Sequence, residues 1–134
     1  MTDDPTPAVV PESHADLLAA PLTAVLTTVG ANGQPQCAAV WYLVDDGALK
    51  TSVLTSRQKY KNLVRNDKAT LFVFDPANPF CTLEIRASVE LVLDPDKTML
   101  PKFAAHYSVD VAMLDQPGDR VTVVFRPTHV VAFG

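Results

Sequence analysis

The sequence has no Gly-x-Ser-x-Gly elbow, no Walker loop and no Gly-x-Gly-x-x-Gly turn, which removes the serine hydrolase, nucleotide triphosphatase and Rossmann readings. It has no apolar run near the ~20 residues that a membrane span needs. Its first twelve residues lack a basic start and an apolar core, so they do not read as a signal peptide. A cytoplasmic chain that meets no membrane is the expectation. Cations are outnumbered, 11 Lys and Arg against 15 Asp and Glu, a net charge of −4, which argues against nucleic acid as a partner. The two cysteines, Cys37 and Cys81, lie in apolar runs without metal or redox spacing and are expected to be small buried hydrophobes. The three histidines, His14, His106 and His129, are far apart with no Cys or acidic partner at ligand spacing, so no metal site is expected. There is no internal repeat and no low-complexity segment.

What remains is an apolar chain, 48% hydrophobic over 134 residues, sized for one domain with a real core. Residues 1–12 are polar and proline-rich and read as a flexible arm; residues 13–134 read as the folded domain. Ser13 is the expected N-cap of a short helix to Ala20, stopped by Pro21. Ala24–Val29, a turn at Asn32-Gly33, Gln36–Val44, a turn at Asp46-Gly47 and Ala48–Leu54 read as an antiparallel meander. A helix over Gln58–Asn66 follows, its apolar side made of Tyr60, Leu63 and Val64. Ala69–Phe74 is a strand halted at Asp75–Pro79. Cys81–Leu93 is a long strand with Leu83, Ile85, Ala87, Val89 and Leu91 on one face and Glu84, Arg86, Ser88 and Glu90 on the other. A helix over Lys97–Tyr107, a strand Arg120–Arg126, an interruption at Pro127 and a short strand Thr128–Phe133 complete the chain. The fold class is mainly β with peripheral helices: six or seven antiparallel strands in a closed or nearly closed barrel, which limits exposed edges.

One stretch is out of character with an acidic chain. In Ser52–Asn62 a strand turns at Thr55-Ser56 into a helix, and Arg57, Lys59 and Lys61 fall within five residues. Cations on a helix's first turns are ordinarily a solvated face. Cations beside hydroxyls at a strand-to-helix turn are also what a phosphate needs. The residues alone leave both readings open.

The order of elements, with particular residues in place, resembles the split β-barrel flavin and deazaflavin oxidoreductases, the pyridoxamine 5'-phosphate oxidase-like proteins, and among them the actinobacterial branch that uses coenzyme F-420. The resemblance rests on Leu26-Thr27-Thr28, Gly33-Gln34-Pro35-Gln36, Val40-Trp41-Tyr42, Ser52, Ser56-Arg57-Gln58-Lys59, Lys61 to Asp67, and Leu83 to Val89, in that order. No single motif is diagnostic; the ordered set is. It covers about Ala15 to Phe133.

The resemblance implies an FMN-binding split barrel that acts as a homodimer with its sites at the interface. It implies that Arg57 and Lys59 contact the cofactor phosphate, with Ser52 and Ser56 as hydroxyl donors and Asn62 holding the helix in place. Gln36, Ala38 and Val40 would lie along the cofactor ring, and Phe80, with Cys81, would reach into the partner's site. Lys61, Arg65 and Lys68 would meet the acidic tail of a deazaflavin. Ala87 departs from the family, which often has Gly there. Trp41 would wall the substrate pocket or simply fill the barrel. His106 and Tyr107 are candidate proton donors near the ring, although a pair at a helix end is the ordinary reading. The implied activity is hydride transfer by F-420 to or from a small organic substrate, with the cofactor carrying the chemistry. The alternatives are an FMN-dependent oxidoreductase and a non-catalytic flavin- or haem-binding split barrel.

Overall fold

Strands with a buried face every second residue dominate the chain, and the computed structural model, which describes residues 8–134, curls seven of them into a half-barrel. In chain order they are β1 (Thr23–Val29), β2 (Pro35–Trp41), β3 (Leu43–Asp45), β4 (Ala48–Leu54), β5 (Lys68–Asp75), β6 (Asn78–Leu93) and β7 (Arg120–Phe133). All pairs are antiparallel, in the order β2-β1-β5-β6-β7-β4-β3. The helices are α1 (Ala15–Ala19), α2 (Gln58–Arg65), α3 (Met99–Tyr107) and α4 (Val111–Leu114). Inward residues of all the strands except β3 form one core that includes Leu26, Val53, Leu71, Leu83, Ile85 and Val123. Leu43 of β3 packs instead with Met99 and Phe103 of α3.

The long alternating run behaves as its pattern demands: Leu83, Ile85 and Ala87 are buried. The tight turn between β3 and β4 needs positive φ at two residues, and Asp46 (51°) and Gly47 (76°) supply it.

Several expectations are corrected. The strand expected over Gln36–Val44 breaks at Tyr42 into β2 and β3. Tyr42 is wholly buried, its hydroxyl donates to the Leu17 carbonyl, and its backbone N–H and C=O are both held by the Tyr107 hydroxyl. The chain turns a barrel corner there because a large side chain is driven inward. Pro127 does not interrupt the last strand. It sits opposite Ala87, where the β6–β7 register shifts, so its missing N–H costs the ladder little. Pro79 likewise lies near the start of β6, beyond a two-residue turn. Ser13 caps nothing: residues 12–14 form one 3₁₀ turn, and the Ser13 hydroxyl bonds the His14 ring. Cys37 is exposed on edge strand β2 beside Thr27, because β2 turns that face outward, while Cys81 is half-buried against the core. Val64 is exposed, and the buried side of α2 is Asn62 and Leu63. Of the expected arm, residues 1–7 lie outside the described residues; Ala8 donates to the Pro127 carbonyl and Val10 packs on the core.

Candidate functional site

Edge strand β2 and the penultimate strand at the sheet's other end, β4, meet at a seam. The Thr51 hydroxyl on β4 donates to the Trp41 carbonyl at the end of β2, at 2.6 Å. Beside this seam lies a cavity of about 440 Å³. One wall is strand: Thr23 of β1 and Ala39, Val40 and Trp41 of β2. A second is apolar and helical: Leu100 and Phe103 of α3 and Leu114 of α4. The remaining side is polar: Ser52 of β4, Lys59 of α2 and Arg120 of β7.

Topology explains why these polar groups converge. β4 pairs with β7 so that Leu54 faces Arg120. The turn leaving β4 is tied to the chain entering β7 by the Thr55 N–H to Asp119 carbonyl bond, 3.0 Å. The basic turn and Arg120, far apart in sequence, thus become neighbours. Arg57 stands exposed at the rim, where its Nη2 donates to Gln116 Oε1 at 3.2 Å. Burial, then the charges of Arg57 and Arg120, hold the Lys59 pKa below its ordinary value. Arg120 is shifted down by burial and by Arg57, against the opposing pull of Asp115 and Asp94.

Four of the residues expected at the site, Val40, Trp41, Ser52 and Lys59, line the cavity, and Arg57 borders it. Ser56 is exposed in the turn and does not line it. Gln36 and Ala38 do not line it either; the three residues at the end of β2, Ala39, Val40 and Trp41, do. Gln36 instead joins a buried tie. Asn62 is fully buried, donates to Thr28 Oγ1 (3.0 Å) and Gln36 Oε1 (2.7 Å), and accepts from Gln58 Nε2 (2.9 Å). This knot fastens α2, and with it Lys59, to β1 and β2.

Trp41 is both wall and packing. Its ring stacks on Tyr107, centroids 4.0 Å apart and planes within 4°. The Tyr107 hydroxyl lies 2.6 Å from the Leu22 carbonyl and 3.0 Å from the Tyr42 carbonyl, and accepts from the Tyr42 N–H. Burial raises its pKa. It pins Trp41 from behind, its hydroxyl engaged with backbone, and it does not line the cavity. His106 is half-buried, edge-on to Tyr107 and outside the cavity wall. Phe80, on the β5–β6 hairpin, is 76% exposed and touches nothing in the cavity of its own chain. No group of three or more metal-ligating side chains occurs among the described residues.

The sequence reading missed Arg120, Ala39, Thr23 and the α3–α4 wall. Only strand pairing brings Arg120 to the basic turn.

The cavity suits a planar ring with a phosphate-bearing tail. An aromatic-backed strand offers a flat wall, and the polar side is a set of cations without carboxylate partners. The Nε of Arg120 is buried with no hydrogen-bond partner among the described residues, an orphaned donor that fits an anionic group.

The chain matches the family described as pyridoxamine 5'-phosphate oxidase over residues 10–133. Among solved structures it is similar to an F-420 reductase, at 38% identity, with 91% of this chain and 98% of that one covered and a TM-score of 0.81. It shares its fold with a conserved hypothetical protein from Mycobacterium tuberculosis (21% identity, 98% and 89% covered, TM-score 0.69). It also shares its fold with HutZ, a haem storage protein from Vibrio cholerae (16% identity, 84% and 86% covered, TM-score 0.69). No curated protein sequence matches it.

Proposed function

Because the chain belongs to the pyridoxamine 5'-phosphate oxidase family, we propose that it is an oxidoreductase that holds a deazaflavin coenzyme of the F-420 type and acts on a small organic substrate. The observation that carries this reading is the pairing, in one cavity, of an aromatic-backed wall with a cluster of unpaired cations. The similarity to an F-420 reductase favours deazaflavin over FMN.

The chain's own residues bind and shield. Arg57 offers a planar fork and Lys59 a point charge to phosphate oxygens, and the Ser52 hydroxyl adds a donor. Ala39, small and on the β2 face toward the cavity, leaves room for a ring against the strand. Trp41, Leu100 and Phe103 exclude water. Lys61 and Arg65, both exposed on α2, are the further cations proposed for an acidic tail. The bound coenzyme supplies the hydride.

We further propose a homodimer. An exposed apolar row crosses the outside of the sheet: Val25 opposes Phe72, and Glu84 separates Phe72 from Val131. Phe74 and Phe133 flank Thr82 in the next row. A second copy on this face buries these side chains and gives the exposed Phe80 a neighbour.

The test is a fluorescence titration of the purified protein with F-420, FMN and haem in parallel, followed by a hydride-acceptor screen. Micromolar binding of F-420, weaker FMN binding and turnover of an acceptor are expected. FMN binding with none to F-420 overturns the coenzyme. Haem binding without turnover of any acceptor overturns the activity.

A further inference from the structure

Six ion pairs occur among the described residues, and they engage Lys50, Lys68, Arg86, Lys97, Lys102 and Arg126. Arg57, Lys59 and Arg120 are in none of them. These three lie close enough to repel one another, and two of them, Lys59 and Arg120, are partly withdrawn from water. Holding like charges together without a counter-charge is unfavourable. Asp115 and Asp94 relieve it only in part at Arg120, since both are engaged elsewhere as well. Asp94 is engaged with the N–H and hydroxyl of Thr98 and the N–H of Met99, and Asp115 is paired with Lys97.

Arg120 is only partly engaged. Its Nη2 donates to the Leu114 carbonyl at 2.8 Å and its Nη1 reaches Ser52 Oγ at a long 3.4 Å, while Nε is buried and unpartnered among the described residues. A guanidinium fixed in this way on a cavity wall, beside the Ser52 hydroxyl and Lys59 and with Arg57 nearby, has donors left for a phosphate.

We infer that Arg120 is a third ligand of the anion seat, completing from β7 what Arg57 and Lys59 begin at the other strand's end. That the anion is a coenzyme phosphate rests on the reading above; that the seat takes a phosphate-bearing ligand does not. Three unpaired cations match more than one negative charge, so the seat favours pyrophosphate or a phosphate dianion over a monoanion such as acetate. Since Arg120 also holds the Leu114 carbonyl, and Leu114 lines the cavity, one side chain joins the anion seat to the apolar helical wall.

The experiment titrates wild type and three variants with inorganic phosphate and pyrophosphate, by calorimetry and by shift of melting temperature, and separately with F-420 and FMN. Arg120→Gln removes the charge. Arg120→Lys keeps it, and it serves if Arg120→Gln does not fold. Asp110→Ala removes the cap that accepts from the Ala112 N–H, loosening α4 without touching the seat. Pyrophosphate affinity is expected to fall at least about tenfold in Arg120→Gln, the loss of one charge-assisted hydrogen bond. It is expected to be partly retained in Arg120→Lys and unchanged in Asp110→Ala. Unchanged pyrophosphate binding in Arg120→Gln overturns the assignment. So does an equal loss in Asp110→Ala, which assigns Arg120 to holding α4 only. Arg120-dependent pyrophosphate binding without coenzyme binding keeps the seat and removes the coenzyme. Coenzyme binding indifferent to Arg120→Gln keeps the coenzyme and removes Arg120.

Discussion

Asn62 shows how much a single polar side chain is asked to do. Its amide is buried and serves three partners on α2, β1 and β2. Asn62→Ala leaves the buried Thr28 hydroxyl unpaired and releases the exposed Gln36 and Gln58, and urea unfolding should show a loss of about 1–3 kcal/mol. Lys59 is the opposite case, a charge kept at a cost to the fold. Lys59→Met should leave the ligand-free protein as stable or more so, while anion affinity falls at least about tenfold; thermal melts and pyrophosphate titrations read the two effects separately. In wild type, anion affinity should also decline as pH rises through the lowered Lys59 pKa, earlier than an ordinary lysine allows. Asn62 was legible in the sequence as a helix-holding residue only through resemblance, since nothing in a lone Asn announces burial. Cys37 misled for a related reason: an apolar run gives a strand but not which of its faces is covered.

At the scale of elements, α3 is held at both its start and its side. Asp94 accepts from the Thr98 N–H and hydroxyl and from the Met99 N–H, and Asp45 receives Lys50 at 2.9 Å and Lys102 at 3.0 Å. The lysine bonds keep the Asp45 pKa below the ordinary 3.8, and at Asp94 the Thr98 and Met99 donors outweigh the upward push of burial. For both groups the folded-state pKa lies below the unfolded one. Their contribution is therefore complete above the unfolded value and is lost as pH falls through the folded one. Acid titration should show stability declining below about pH 4, and Asp45→Asn should flatten that decline. Asp94→Ala should cost about 1–2 kcal/mol and loosen the Leu100 and Phe103 wall, seen as faster amide exchange across α3. The strands and α2 were legible because a two-residue or 3.6-residue period repeats several times in each. α4 was not, since four residues carry no period; its one sign, the Asp110 cap, is common in loops. The break at Tyr42 was hidden because a buried Tyr reads like any other strand residue.

For the whole molecule, the half-barrel follows from strands too long and too uniformly one-sided to lie flat, and a mainly β barrel was readable from that alone. The cavity was not, because it belongs to the seam where β2, β4 and β7 meet and to helices inserted between distant strands. The outer apolar face sets the largest-scale expectation. On the proposed homodimer, wild type scatters light as a dimer and Phe72→Glu, which places a charge beside Val25 and Glu84, as a monomer, with the strand content intact by circular dichroism. If the variant remains dimeric, the subunits meet elsewhere.

The Trp41–Tyr107 stack gives the protein a built-in optical gauge. Trp41 is the chain's single tryptophan, so all indole emission originates at the seam between β2 and α3. A ring that absorbs where indole emits should dim that emission when it enters the cavity. During unfolding, the indole signal reports on the seam alone, while circular dichroism reports on the barrel. An indole transition that runs ahead of the barrel's would mean that the seam opens first, and would mark it as the door by which ligands enter.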